Sequence, residues 1–384
     1  MRIAFLCGGL GLGGVADYTR LIADQLASHD CESLIIALAD RQASAILKGG
    51  APPVQTLALP EGIGWPRRVA AAEEALAAFA PDWISLQFVP FAFNRKGVVW
   101  LEERWLLRLL CGRPLHLMAH ELWIEPLPRP VPIRRRILRG AQRHCILRLF
   151  RRAAPCILHT SNALYRRLLA EADLSAQLLP LFGNVPIAAQ PDRAWLDGAM
   201  AQGGIGLARK PLLFGFFGGV DPEWDAYPLL ARLSETLGRL GRPGVVLSAG
   251  AAGGIAGRME EWRRRFPTLG FLALGVQPME RLSAYLQALD FGLTSYPYAL
   301  IAKSSSVISM LEHGLPVIVS WGDLVPDLPA IEPELNQLLL RPGGDIERFL
   351  ATPPNRSIRG SAVPGIAEAM LRDLDREPRR QKEG

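Results

Sequence analysis

A chain of 384 residues is longer than one ordinary core absorbs, so two domains are expected. With 49% apolar residues it can fill both, which excludes a disordered chain, and no uninterrupted apolar run reaches the roughly 18 residues that a spanning helix needs. The net charge of +6 rests on 38 arginines and five lysines. The five cysteines (Cys7, Cys31, Cys111, Cys145 and Cys156) form no CxxC pair, which argues for a reducing compartment and against a zinc site or a disulfide frame.

Residues 1–7 are too short for a signal-peptide core and run straight into glycines, so a soluble, cytoplasmic protein is expected. Residues 2–6 read as a buried strand and 15–28 as a helix with Val15, Leu21, Ile22 and Leu26 on one side. Strands follow at 33–38, 83–88, 115–119 and 155–159, with an alanine-rich helix at 67–79. Residues 180–186 read as a last strand and turn. Residues 188–209 carry no clean periodicity and are taken as a connection. The alternation then restarts. Strands are expected at 212–217, 244–248, 269–274 and 291–295, and after Pro316. Helices are expected at 227–240, 259–266 and 279–289, after Lys303, and at 366–374. This is βαβ grammar, which implies parallel sheets with helices on both faces. The expected domains are 1–187, 210–360 and a C-terminal helix with a charged tail at 361–384.

The most informative motif is Lys303-Ser304-Ser305-Ser306, which opens a helix closing on Gly314. A helix N-terminus offers free N–H groups and the positive end of a dipole, which suits a phosphate. Lys303 adds a full charge beside it. Glu312 stands at the far end of the helix, where a carboxylate can accept from a ribose diol. Ser305 and Glu312 fall on one face about 10 Å apart, one toward phosphates and the other toward ribose. This pairing points to a nucleotide-sugar site. Simple N-capping is the alternative for the serines, and a solvated helix end for Glu312.

The glycine run from Gly8 to Gly14 follows the first strand and opens a helix. Gly9, Gly11 and Gly14 fit GxGxxG, and the acidic residue that pattern expects is Asp40, late after the second strand. A plain strand-to-helix turn is the alternative. His120-Glu121 and His159 end strands, where α/β sheets carry their sites. His116 lies inside its strand and reads as structural. Trp123 suits a sugar face or the core equally. Arg134, Arg135, Arg136, Arg139, Arg143, Arg148, Arg151 and Arg152 interleave with apolar residues. Such a helix suits an anionic membrane surface, with Trp100, Trp105, Leu106, Leu107, Leu109 and Leu110 dipping nearby, or else is a solvated face over a core. No aromatic platform or known module points to nucleic acid.

Gly13-Gly14-Val15-Ala16-Asp17-Tyr18 resembles the first loop of GT-B-fold glycosyltransferases, most like family 4. Gly275-Val276-Gln277, the segment Tyr285 to Leu293 and the stretch Ser295 to Pro316 resemble that family's donor-site region. The resemblance implies two Rossmann-like domains facing across a cleft, with a nucleotide-diphosphate sugar bound mainly by the second and no cofactor or metal. It implies donor contacts at Gly13, Gly14, Gly218, Gly219, Lys303, Ser304, Ser305, Ser306 and Glu312. It implies a catalytic role for His120 in the cleft and acceptor contacts at Asp17 and Tyr18, while Lys303, at the helix start, is the candidate catalytic replacement for the family's diphosphate cations. The acceptor would be a glycan or a lipid-linked sugar. Two departures stand out. Ser305 occupies the position where the family places its first glutamate. The usual Arg and Lys pair falls near Gly219 and Trp224. A non-catalytic nucleotide-sugar or glycan-binding protein and a sugar-nucleotide epimerase are the rivals on this fold.

Overall fold

A computed structural model describes residues 1–11, 13–110, 112–124, 132–206, 210–221, 224–250, 255–322, 328 and 331–383, with side chains through 376. Leu12 of the glycine loop, Cys111, Pro222 and Glu223, and 207–209 of the expected connection lie outside them. The chain forms two compact units. One joins Met1–Leu181 with Val363–Gly384, and the other is Phe182–Ala362. The C-terminal helix thus belongs to the first unit. Residues 182–187, expected in the first domain, belong to the second.

The first unit runs β1 (Arg2–Cys7), α1 (Gly14–Ala27), β2 (Glu32–Asp40), β3 (Leu47–Ala51), β4 (Val54–Pro60), α2 (Trp65–Phe79), β5 (Trp83–Phe88), α3 (Pro90–Phe93), α4 (Glu103–Leu110), β6 (Leu115–Ala119), α5 (Ile133–Ala153), β7 (Ile157–Thr160), α6 (Ala163–Ala170) and β8 (Gln177–Leu178). Its eight strands are ordered β3-β4-β2-β1-β5-β6-β7-β8. All paired strands are parallel except β3, which runs antiparallel to β4. Both faces of β1 and β5 are buried, as the helices on each side require. The expected strand at 180–186 is absent, and the sheet closes on β8 instead.

The second unit runs α7 (Ala194–Gln202), β9 (Leu212–Phe217), α8 (Tyr227–Arg239), β10 (Gly244–Ala249), α9 (Ile255–Arg265), β11 (Leu269–Ala273), α10 (Met279–Ala288), β12 (Phe291–Pro297), a 3₁₀ turn (Tyr298–Lys303), α11 (Ser305–Glu312), β13 (Val317–Trp321), α12 (Pro333–Asn336), β14 (Leu339–Leu340) and α13 (Ile346–Ala351). The expected connection at 188–209 therefore contains a helix. The sheet is parallel, in the order β11-β10-β9-β12-β13-β14. Its core packs Phe214, Phe216, Trp224, Trp262, Phe271 and Phe291 around β9. The last helix, α14 (Val363–Glu383), belongs to the first unit, where it packs on α1 and β7. No described helix is long and apolar enough to cross a membrane.

Candidate functional site

In the first unit the strand order reverses at β1, between β2 and β5. Open α/β sheets bind ligands at such a point, outside the carboxyl ends of the strands. There the glycine loop after β1, Asp40 at the end of β2, and Gln87 and Val89 at the end of β5 line a pocket of about 370 Å³. Gly13 and Gly14 stand on its rim, where α1 begins.

Asp40 serves the wall of this pocket. Its carboxylate accepts from the N–H groups of Leu10 (2.7 Å), Gln42 (2.8 Å) and Ala43 (3.0 Å). Burial raises its pKa, but the three N–H groups and nearby Arg20 outweigh burial and hold the carboxyl below its ordinary value. The late acidic residue of the GxGxxG pattern is thus spent on the loop itself.

His120 follows β6 and is 5% exposed. Its backbone N–H donates to the Phe88 carbonyl (3.1 Å), and its ring Nε2 lies 2.8 Å from Gln87 Oε1. Tyr18 packs its ring edge-on against the imidazole, with centroids 4.8 Å apart. Burial pushes the His120 pKa down to about 3, so the ring is neutral near pH 7. Tyr18 itself is buried, and burial raises its phenol pKa. It is therefore a wall behind His120 rather than an open acceptor contact. Asp17 is half-buried in the first turn of α1.

Behind His120 a polar row crosses the sheet. Gln87 Nε2 donates to Ser85 Oγ (2.7 Å), which lies 2.8 Å from His116 Nδ1. His116 Nε2 lies 3.1 Å from His159 Nδ1, and His159 Nε2 lies 3.3 Å from Asp373 Oδ2 on α14. Parallel register puts Ser85 beside His116 and Met118 beside His159, so the row lies on one face of the sheet. His159 is a buried member of this row and does not open into a cleft. Trp123 is buried as well, with Arg143 over its ring at 5.6 Å, so it belongs to the core.

In the second unit the order reverses at β9, between β10 and β12. The strands β9, β10 and β11 each give way to a glycine of positive φ: Gly218 (78°), Gly250 (110°) and Gly275 (68°). A Cβ on Gly218 would stand 2.5 Å from Ser306 Oγ, and one on Gly250 would stand 3.0 Å from the Gly218 nitrogen. The backbone thus crowds against the first turn of α11 as only glycine permits. Ser304 is the N-cap, its Oγ accepting from the Val307 N–H at 3.4 Å. Ser305 and Ser306 are half-buried in the first turn, Lys303 is half-buried at the end of the 3₁₀ turn, and Gly219 is exposed. Arg258 fixes the loop after β9 by donating to the carbonyls of Asp221 (3.0 Å) and Trp224 (2.6 Å). The sequence puts a cation, a helix N-terminus and a glycine rim together, and the second sheet brings them to one edge.

Glu312 is not at that edge. It is 4% exposed, and its Oε1 accepts from the N–H groups of Gly183 (3.0 Å) and Ala362 (3.1 Å). Burial raises its pKa, and the two N–H groups partly offset that. Next to it, Ser309 Oγ accepts from the Asn184 N–H (2.9 Å) and donates to Asn184 Oδ1 (3.1 Å). Glu312 Oε1 therefore fastens the two ends of its own unit, while Oε2 makes no hydrogen bond among the described residues. Gln87, Ser85 and Asn184 were not singled out by sequence. The available signal was Ser85 and Gln87 at period two within an otherwise apolar strand.

The basic run divides in two. Arg148 and Arg152 pair with buried Glu103 (2.9 and 2.7 Å), and Arg151 donates to the Ala172 carbonyl (2.8 Å). At the start of α5, by contrast, Ile133 and Ile137 are 71% and 68% exposed among arginines. Of the nearby apolar residues, Trp100 is exposed, whereas Leu106, Leu109 and Leu110 are core.

No family model matches the chain, and no curated protein matches it in sequence. Solved structures do match in three dimensions. A sucrose-phosphate synthase from Thermosynechococcus elongatus aligns at a TM-score of 0.58 and 15% identity over 99% of this chain and 98% of its own. The chain has the GT-B fold. Anabaena HepE, solved in complex with UDP and glucose, aligns at a TM-score of 0.55 and 15% identity over 100% of this chain and 99% of its own. The GT-B likeness also extends to a UDP-GlcNAc 2-epimerase from Methanocaldococcus jannaschii, at a TM-score of 0.55 and 12% identity over 98% and 99% of the two chains.

Proposed function

We propose that this chain is a glycosyltransferase. It would move a sugar from a nucleotide-diphosphate sugar to a glycan or lipid-linked acceptor in envelope or polysaccharide biosynthesis, with retention and without a metal or cofactor. The observation that carries the reading is the glycine-rimmed edge of the second sheet, where Gly218 packs on Ser306 at the start of α11 beside Lys303. Backbone N–H groups and one ammonium there suit a diphosphate that gains charge as the glycosidic bond breaks. The pocket over the glycine loop of the first unit, backed by Gln87, would take the acceptor. With His120 held neutral, catalysis would rest on positioning and charge stabilisation. Membrane contact, on the cytoplasmic face, would fall to the outward start of α5 with Ile133 and Ile137.

The test begins with nucleotides screened by thermal shift, since a ligand at 100 times its Kd stabilises by about 2.7 kcal/mol. Turnover follows. A transferase releases nucleotide diphosphate from the matching sugar donor in an acceptor-dependent way. Tight binding without release would favour a binding protein. Interconversion of donor epimers without an acceptor would favour an epimerase.

A further inference from the structure

The polar row behind His120 has one end that can only accept. Asp373 turns carboxylate oxygens, which only accept, toward His159 Nε2 across a 3.3 Å contact too bent to count as a regular hydrogen bond, and the charge it presents there favours the hydrogen on Nε2. Neutral His159 then has a bare Nδ1, which accepts from His116 Nε2–H at 3.1 Å. His116 Nδ1 is bare in turn and accepts from the Ser85 hydroxyl at 2.8 Å. Ser85 Oγ, its hydrogen spent, accepts from the Gln87 amide at 2.7 Å. That turns Gln87 Oε1 toward His120, which donates from Nε2 at 2.8 Å. The carboxylate on the returning helix at one end and the Gln87 amide toward the other therefore favour the same sense for every bond in the row. An amide in the middle passes no proton in this sense, so the row orients and does not conduct.

We propose that Asp373, His159, His116, Ser85 and Gln87 are positioning residues that lock His120 in its Nε2–H tautomer, leaving Nδ1 as an acceptor for a ligand hydroxyl. This rests on the transferase reading for its functional meaning, because a sugar acceptor presents hydroxyls. The tautomer itself does not depend on that reading. The buried surroundings agree with a neutral row. Burial lowers the pKa of His116, His120 and His159, and for His159 the Asp373 carboxylate opposes the shift.

The experiment is nitrogen-15 NMR of the histidine-labelled full chain at pH 7.5, with His120→Gln identifying the His120 signals. The chain supplies its own control. His313 Nδ1 lies 2.7 Å from the Ser309 carbonyl oxygen, which only accepts, so His313 carries its hydrogen on Nδ1. The expected spectrum shows His116, His120 and His159 protonated at Nε2 and His313 protonated at Nδ1. Asp373→Asn supplies a donor where only an acceptor stood and lets the row reverse. A measurable fraction of His120 should then appear as Nδ1–H, and Asp373→Glu should restore the wild-type pattern. Ser85→Ala cuts the row in its middle and should free His120 to exchange between tautomers, even if Asp373→Asn fails to fold. Unchanged signals of exposed His29 and His144 certify the fold. His120 found as Nδ1–H in the wild type overturns the proposal, as does a His120 tautomer unaffected by both variants. Should the transferase assay fail while the tautomer pattern holds, the functional reading falls and the orienting row stands.

Discussion

Replacing Glu312 by alanine tests whether this carboxylate fastens the ends of the second unit or meets a ribose. Alanine removes the acceptor shared by the Gly183 and Ala362 N–H groups, which lie 3.0 and 3.1 Å from Oε1. A buried donor left without a partner costs about 1–3 kcal/mol. Gly183 is buried, whereas Ala362 is exposed and its N–H can turn to water, and relief of the carboxylate's own burial returns some of the loss. The expected destabilisation is roughly 1–3 kcal/mol. For a unit of this size that lowers the melting temperature by roughly 3–10 °C. Glu312→Gln keeps a carbonyl oxygen for both donors and should cost about 1 kcal/mol. Calorimetric melts of the full chain measure the difference, and hydrogen exchange should quicken at 183 and 362 in the alanine variant alone. Calorimetric titration supplies the second arm, in which Glu312→Gln should bind nucleotide diphosphate and pyrophosphate as the wild type does. If the alanine variant melts like the wild type, the fastening role is wrong. If Glu312→Gln loses affinity for nucleotide but keeps it for pyrophosphate, the ribose role returns.

Lys303→Ala should weaken nucleotide-diphosphate binding by roughly 1.5–3 kcal/mol, the range for a charge-assisted hydrogen bond, and unchanged calorimetric affinity would remove Lys303 from the site. Gly218→Ala places a methyl 2.5 Å from Ser306 Oγ at a φ of 78°, so nucleotide binding should be lost. Adding Ser306→Gly should recover part of it, and a single variant that binds normally would refute the cradle. The depressed histidines His116 and His120 bind protons less readily folded than unfolded, so their contribution is complete above about pH 6.5 and falls as pH drops below it. Each costs up to about 1.4 kcal/mol per pH unit, and raised Glu312 opposes this only nearer its own range. A urea midpoint equal at pH 7.5 and 5.5 would contradict this sign. The start of α5 should carry the chain onto anionic vesicles at low salt, with binding lost in Arg135→Glu, Arg139→Glu, Arg143→Glu, since exposed charges are screened within about 8 Å at physiological ionic strength. No co-sedimentation of the wild type would leave α5 a solvated face.

The alternating grammar was legible because most strands are buried on both faces and read as continuous apolar runs. Residues 83–88, 115–119 and 212–217 were bounded to the residue. The hairpin β3–β4 was missed because all five residues of β3 are exposed and Gly49-Gly50 sit inside it, so its sequence looks like a loop. Helix α7 was missed because it buries only Leu196 and Met200, too narrow a stripe to register as a period. At the sites, glycines and a helix start are local and could be read. Partners could not. Glu312 meets Gly183 from 129 positions away, and His116 meets His159 from 43. Spacing along a helix says which residues share a face, not which segment of chain arrives to cover it.

That distinction bears on mechanism. Three carboxylates of the two units, of which the sequence singles out Asp40 and Glu312, are each engaged inside their own unit. Asp40 takes three loop N–H groups, Glu312 takes the two ends of its unit, and Asp373 faces His159. Such acceptors are worth most to folding and least as bases, because removing a proton elsewhere would first require breaking bonds that hold the backbone. His120 stands apart from them as a neutral ring held by Gln87. Among the described residues of the second unit, the start of α11 offers backbone N–H groups, serine hydroxyls and nearby Lys303, which can stabilise developing negative charge without proton movement. The proposed sugar transfer, driven by departure of a diphosphate, calls for that kind of assistance.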